Sequence, residues 1–171
     1  PTVLIGIFLG VVVLGILGMQ YSAASSVPPI HNISTDTVNP PQFDKIVALR
    51  TAAKANPLTY SSAELAPQQT KAYPWVKPLA LQASADEVVD RAEAVLRDMG
   101  LEIVSVNKNA GLVEATATTF WFGFKDDVAV RVQPAADGGT QVDVRSISRV
   151  GQSDLGANAA RIGEILNGLS G

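Results

Sequence analysis

Eight of the ten prolines in this 171-residue chain lie between Pro28 and Pro78, and no glycine occurs between Gly18 and Gly100. Proline without glycine makes stiff, extended chain, where a Gly/Ser tract would be floppy. An ordered strap is therefore expected, and it divides the sequence into residues 1–20, an apolar head; 21–75, the strap; and 76–171, a folded domain. Within the strap, Ser34, Thr35, Asp36 and Asn39, followed by Pro40-Pro41, carry turn chemistry. Phe43, Ile46, Val47 and Arg50 have helical spacing for about two turns, which Pro57 ends.

The head has no charged residue before Asp36, and a helix over Thr2 to Met19 would rise about 27 Å, close to a bilayer's hydrocarbon thickness. A cleaved leader ending near Ser22-Ala23-Ala24 is the rival. Because the stretch is part of this chain, a retained single-pass helix is expected. Gly6 and Gly10 make a small-xxx-small pair on which other transmembrane helices could pack. The first basic residue is Lys45, so charge does not set the orientation. The simplest topology puts a bacterial inner-membrane anchor before a periplasmic domain.

The domain itself reads clearly. Ser84-Ala85-Asp86-Glu87 is a capping box, Val88, Val89, Ala92, Val95, Leu96 and Met99 repeat on one helical face, and Gly100 ends the helix. Leu101 to Val106 forms a strand, Asn107 to Gly111 a turn, and Leu112 to Phe124 a long second strand. Phe120, Trp121, Phe122 and Phe124 put aromatic rings on both sides of its end, which fits either a central strand covered twice or a patch for a partner or the membrane surface. Val128, Val130 and Val132, then Val142 and Val144, alternate with polar residues as two half-buried strands. A three-residue loop, Asp137-Gly138-Gly139, would set Arg131 opposite Arg145 and Gln133 opposite Asp143. A strand near Val76 to Leu81 can precede them, and Asp154 can cap a closing helix striped by Leu155, Ala159, Ile162, Ile165, Leu166 and Leu169. The expected fold is α+β: a four- to five-stranded antiparallel sheet with two helices on one face, preceded by the strap and one transmembrane helix.

Chemistry is sparse. A formal charge of -3 and no basic stripe argue against nucleic acid, and the absence of cysteine excludes thiol chemistry and disulfides. The single histidine, His31, stands near Ser34 and Asp36, which raises a hydrolase reading, but no G-x-S-x-G elbow accompanies it. Asp126-Asp127 could meet Asp36 or Asp154 around calcium, yet no loop has calcium-binding spacing, so no metal or cofactor is expected. Arg131, Arg145, Arg149 and Arg161, beside Ser153 and Asp154, could hold an anion or simply pair with Asp127, Asp143 and Asp154.

Three ordered motifs carry a family resemblance. They are Ile30-His31-Asn32-Ile33-Ser34-Thr35-Asp36 with Pro40-Pro41-x-Phe43; Ala72-Tyr73-Pro74; and the run from Asp143 through Ser146, Ser148, Arg149, Gly151, Ser153, Asp154, Gly156 and Asn158 to Arg161-Ile162. Together they resemble the bacterial family called domain of unknown function 1499, over roughly residues 29–169. The resemblance implies a membrane-anchored or exported domain whose strap and arginine motifs form one unit, and it implies no activity. The leading expectation is a non-enzymatic accessory subunit of a larger membrane complex of respiratory or photosynthetic type, with the bilayer and other transmembrane helices as partners. The rivals are a periplasmic domain binding a small lipid or anionic ligand through Arg145 and Arg149, and a hydrolase using His31.

Overall fold

A computed structural model describes residues 2–25, 27–136 and 138–171. The order of elements is α1 (Thr2–Ser25), β1 (Asn32–Ser34), α2 (Ile46–Ala52), α3 (Ser62–Ala72), β2 (Leu79–Leu81), α4 (Ala85–Asp98), β3 (Glu102–Asn107), β4 (Leu112–Thr118), β5 (Lys125–Pro134), β6 (Thr140–Ser148) and α5 (Ala157–Ser170). The expected spanning helix requires correction. Among the described residues no helix is long and apolar enough to cross a membrane. The single-pass inner-membrane anchor expected from the head, and the periplasmic placement inferred from it, are therefore not supported.

The sheet is larger than expected, with six antiparallel strands in the order β1-β6-β5-β4-β3 and with β2 also paired to β6. β2 falls within the strand expected near Val76 to Leu81, and the additional strand is β1, three residues of the proline-rich strap. β1 pairs with the C-terminal half of β6 through Asn32↔Ile147 and Ser34↔Arg145, and β2 pairs with its start through Leu79↔Val142. The side-chain amide of Gln69 in α3 closes the open edge of β1: its Nε2 donates to Ser34 O at 2.7 Å and its Oε1 accepts the Ser34 N–H at 3.0 Å. An amide standing in for a further strand is one way to protect an edge.

Alternation gives the sheet two unlike faces. Val113, Ala115, Val128, Val130, Val132, Val142 and Val144 lie on one, register partners such as Val130↔Val144 and Val113↔Val130 bringing them together. α4 and α5 cover this face with Val88, Val89, Ala92, Leu96, Ile162, Ile165 and Leu169, all buried. The N-terminus of α4 is capped as the sequence implies, Ser84 Oγ accepting the Glu87 N–H at 3.3 Å. Gly168 of α5 lies beneath Val95 of α4, where an added Cβ would stand 2.9 Å from Val95 Cγ1, so the two helices meet closely.

The opposite face carries Glu114, Thr116, Asp127, Arg131, Asp143 and Arg145, and the strap covers it. Here the hairpin register differs from expectation by two residues: Arg131 faces Asp143, Ala129 faces Arg145 and Gln133 faces Gln141. The connection runs from Ala135 to Gly139, where the Ala135 N–H donates to Gly139 O at 2.8 Å, and of the expected loop Asp137 lies outside the described residues. The longer loop removes the arginine-on-arginine opposition and gives Arg131 an ion pair to Asp143 at 2.9 Å. The second expected strand is also shorter, ending at Thr118 and leaving the aromatic residues in the β4–β5 turn.

Gly111, in the β3–β4 turn, has φ +59°, and a Cβ there would lie 2.0 Å from Val132 O, while its own carbonyl accepts the Val132 N–H at 2.7 Å. Gly111→Ala combines a left-handed backbone with a clash against a neighbouring strand. It is expected to cost about 2 kcal/mol or more, read by urea denaturation.

Candidate docking surface

The residues with chemical potential are drawn inward. Asp127, fully buried, accepts Arg149 through both oxygens (Nη2 to Oδ1 2.7 Å, Nε to Oδ2 2.9 Å), Arg50 Nη1 at 2.7 Å and Thr116 Oγ1 at 2.8 Å. Arg131 bridges Asp143 and Asp36 at 2.9 and 3.0 Å. Burial works to raise the Asp36 carboxyl, but the Asn39 and Val38 N–H groups and Arg131 outweigh it and hold the group below the usual carboxylate range. Glu114, fully buried, accepts the N–H groups of Asp44 and Lys45 at 2.8 and 2.9 Å and the Ser105 hydroxyl at 2.7 Å, tying the chain that enters α2 onto β4.

Among the described residues Arg145 is the largest fully buried side chain. Its donors go to Asn32 Oδ1 (3.1 Å), Pro41 O (3.2 Å) and Leu58 O, and its guanidinium lies 5.3 Å from the Phe43 ring centre and 5.8 Å from that of Tyr60. Burial, together with the Arg50 charge, lowers its pKa to about 10. Burial pushes the Tyr60 phenol up to about 12 against the pull of Arg145. A spectrophotometric pH titration should therefore lose its phenolate step near pH 12 in Tyr60→Phe. Since the folded pKa lies above the unfolded value of about 10, the stabilisation from Tyr60 is intact below pH 10 and fades toward pH 12.

On the helix side, Arg161 reaches Asp126 at 2.8 Å, Asn158 Oδ1 at 2.7 Å and Ser146 Oγ at 3.0 Å, and Asn158 Nδ2 donates to Ser148 Oγ and to His31 O. Asp126 and Asp127 thus point to opposite faces, each against its own arginines, and do not share a cation site. Asp154 does not end the helix as its N-cap residue, which is Gly156; its carboxylate instead accepts the Gly156 and Asn158 N–H groups at 2.8 and 3.0 Å. Ser153 Oγ accepts the Leu155 N–H. Burial raises the Asp154 pKa against these bonds.

These contacts separate the residues of the hydrolase reading. His31 sits in a cleft of about 620 Å³ with Glu64 and Gln68, its Nδ1 3.3 Å from Gln152 O. Ser34 is buried on β1, and Asp36 is engaged by Arg131. Arg145 and Arg149, placed in the anionic-ligand reading, are likewise enclosed by internal partners. Gly6 and Gly10 face open space, with no atom within 4 Å of an added Cβ.

What remains outward is the β4–β5 turn. Phe120, Trp121 and Phe122 are 90, 84 and 77% exposed. Phe120 and Trp121 meet edge to face at 5.2 Å, and Phe122 stacks on Phe124 at 5.5 Å. The turn closes on itself: the Thr119 N–H donates to Phe124 O, the Gly123 N–H to Thr119 O and the Phe124 N–H to Thr119 Oγ1, all within 3.0 Å. Beside it, a cleft of about 320 Å³ is lined by Phe124, Val150 and Leu155 together with Asp126, Ser153 and Asp154. Leu155 is 62% exposed and holds φ +54°, a costly conformation for leucine. Val150 and Leu155 were not expected here. Leu155 fits the apolar stripe of α5 in sequence, and only the turn before the helix directs it outward. Arg50 is legible in sequence only as a position of α2, and Glu114 and Gln69 carry no expected role, although a glutamate inside Leu112-Val113-Glu114-Ala115 signals a buried carboxylate in need of donors.

The chain belongs to the family described as protein of unknown function DUF1499, whose model matches residues 32–169. The match takes in the sheet, the strap from Asn32 onward and the helices α2 to α5, and leaves out α1. A search of curated proteins returns no match.

Proposed function

We propose that this protein is a non-enzymatic accessory subunit whose folded domain docks through the β4–β5 end. The exposure of Phe120, Trp121 and Phe122 on a turn with its own hydrogen bonds carries the reading. Three large rings left in water forgo roughly 1.5–3 kcal/mol each, which contact with a partner recovers. The inward pairing of Arg145 and Arg149, with Ser34 buried and Asp36 engaged by Arg131 away from His31, supports a docking role over turnover or capture of a small anion. The test is the size of the native particle in a gentle extract. The full chain should migrate well above its own 17.9 kDa, and Phe120→Ser/Trp121→Ser should release it as a free chain with an unchanged melting temperature. A wild-type chain found only free overturns the proposal.

A further inference from the structure

We propose that the occupant of the β4–β5 tip is a lipid interface, into which Phe120, Trp121 and Phe122 insert as a wedge. This rests on the docking role of that end and names what it meets. It is attachment by a loop at the surface of a bilayer, not a span.

Shape is the first argument. A protein hot spot seats an aromatic ring in a pocket and surrounds it with a polar rim. Here the rings project from the end of a hairpin and are 77–90% exposed, a convex form suited to a deformable medium. Tryptophan and phenylalanine are favoured at the level of lipid headgroups, where an apolar ring can be buried while the indole N–H stays hydrated.

The second argument is closure of the turn at its base, which limits the backbone polar groups without an internal partner to those of Phe120, Trp121 and Phe122 and the Gly123 carbonyl. A loop entering an apolar phase must carry its hydrogen bonds with it. Thr119 supplies this turn with three of them: its N–H to Phe124 O at 2.8 Å, its carbonyl from the Gly123 N–H at 3.0 Å and its hydroxyl from the Phe124 N–H at 2.9 Å. Gly123, at φ +62°, allows the chain to fold back within the turn.

The third is convergence of apolar surface at one end of the domain. The Lys125 carbonyl accepts the Arg149 N–H, which sets exposed Val150 beside the base of the tip, and Leu155 shares the cleft with Phe124. The chain following α1 arrives at the same place: Val27 Cγ1 is 3.7 Å from a Cβ built on Gly156, and the Asp154 N–H donates to Ile30 O. The described side chains of α1, among them Ile7, Phe8, Val11 and Leu14, are exposed and apolar. The carboxylates nearest the tip do not oppose insertion, since Asp126 is paired with Arg161 and Asp154 is held by two backbone N–H groups.

The full chain carrying Trp75→Phe, so that Trp121 is the single tryptophan, is mixed with vesicles of phosphatidylcholine alone. The expected result is a blue shift of Trp121 emission and its quenching by lipids brominated on the acyl chain. The shift should persist in high salt, because the tip has no basic cluster. Phe120→Ser/Phe122→Ser should weaken the partition of the tip tenfold or more. Should Trp75→Phe disturb α5, where Trp75 packs on Gly163, the difference in emission between wild type and Trp121→Phe gives the same signal. Unchanged Trp121 emission overturns the lipid proposal, even if the protein floats with the vesicles through another segment. If vesicles leave Trp121 unchanged while the tip substitutions still release the chain from its native particle, the occupant is a protein and the docking role stands. If neither assay responds to the tip, both readings fail.

Discussion

Asp127→Asn is expected to lower the stability of the domain by about 3–5 kcal/mol, a large share of the roughly 5–15 kcal/mol that holds a domain folded. The carboxylate is fully buried and receives Arg50, Arg149 and Thr116. Arg50 and Arg149 are themselves 3 and 12% exposed. An amide in that position leaves two cations enclosed with a single neutral acceptor, and it turns two N–H donors toward donors. The melting temperature should fall by roughly 10 °C. Arg50→Met in the same chain removes one of the stranded charges, so the double variant should be more stable than the sum of the single losses, with a coupling of about 1–3 kcal/mol. A fall of less than 1 kcal/mol for Asp127→Asn would mean that water reaches the cluster and that the strap does not seal it.

That seal explains which parts of the fold could be read from sequence. The helix face follows from period alone: the valines of β5 and β6 alternate, the apolar residues of α4 repeat every three to four positions, and the capping box marks where α4 begins. The strap face cannot be read this way, because it is buried without being apolar. Arg131, Asp143, Arg145 and Asp127 look like the solvent side of a half-exposed sheet, and only the layer of Pro40, Pro41, α2 and Tyr60 above them makes it interior. The same layer decided the hairpin register. Valine can face valine in either of two registers; pairing Arg131 with Asp143 requires the one with the longer loop. The prolines suggest an extended strap, whereas the segment holds β1, α2 and α3; the spacing of Phe43, Ile46, Val47 and Arg50 signals α2, but β1 and α3 were not legible. Three residues of strand in Asn32–Ser34 carry no periodic signal, and α3 continues through Pro67. At the docking surface, the aromatic cluster was visible as composition. Its placement in a turn, not along a strand, depended on Thr119 and Gly123.

Arg145 supplies the sharpest test of how the strap is held. Its partners are two strap carbonyls, Pro41 O and Leu58 O, the amide oxygen of Asn32 and the rings of Phe43 and Tyr60; Arg131, Arg149 and Arg50 each have a carboxylate. Counted over this layer, the cations Arg50, Arg131, Arg145 and Arg149 equal in number the anions Asp36, Glu114, Asp127 and Asp143. The charge of Arg145 is therefore balanced across the layer and spread locally over carbonyl dipoles and ring faces, an arrangement that a planar fork can make and a point charge cannot. Arg145→Met leaves three acceptors without donors, at about 1–3 kcal/mol each when buried. Arg145→Lys keeps the charge but reaches fewer of them and loses the stacking on Phe43 and Tyr60. Both variants are expected to lose about 3 kcal/mol or more in urea denaturation and to loosen the strap before the sheet. Trypsin should then cut at the exposed Lys45 and Lys54 faster than in wild type, while α4 and β3 to β6 stay protected from hydrogen exchange. Should Arg145→Lys match wild type in both measurements, the geometry of the guanidinium is not what fastens the strap, and its cation alone suffices.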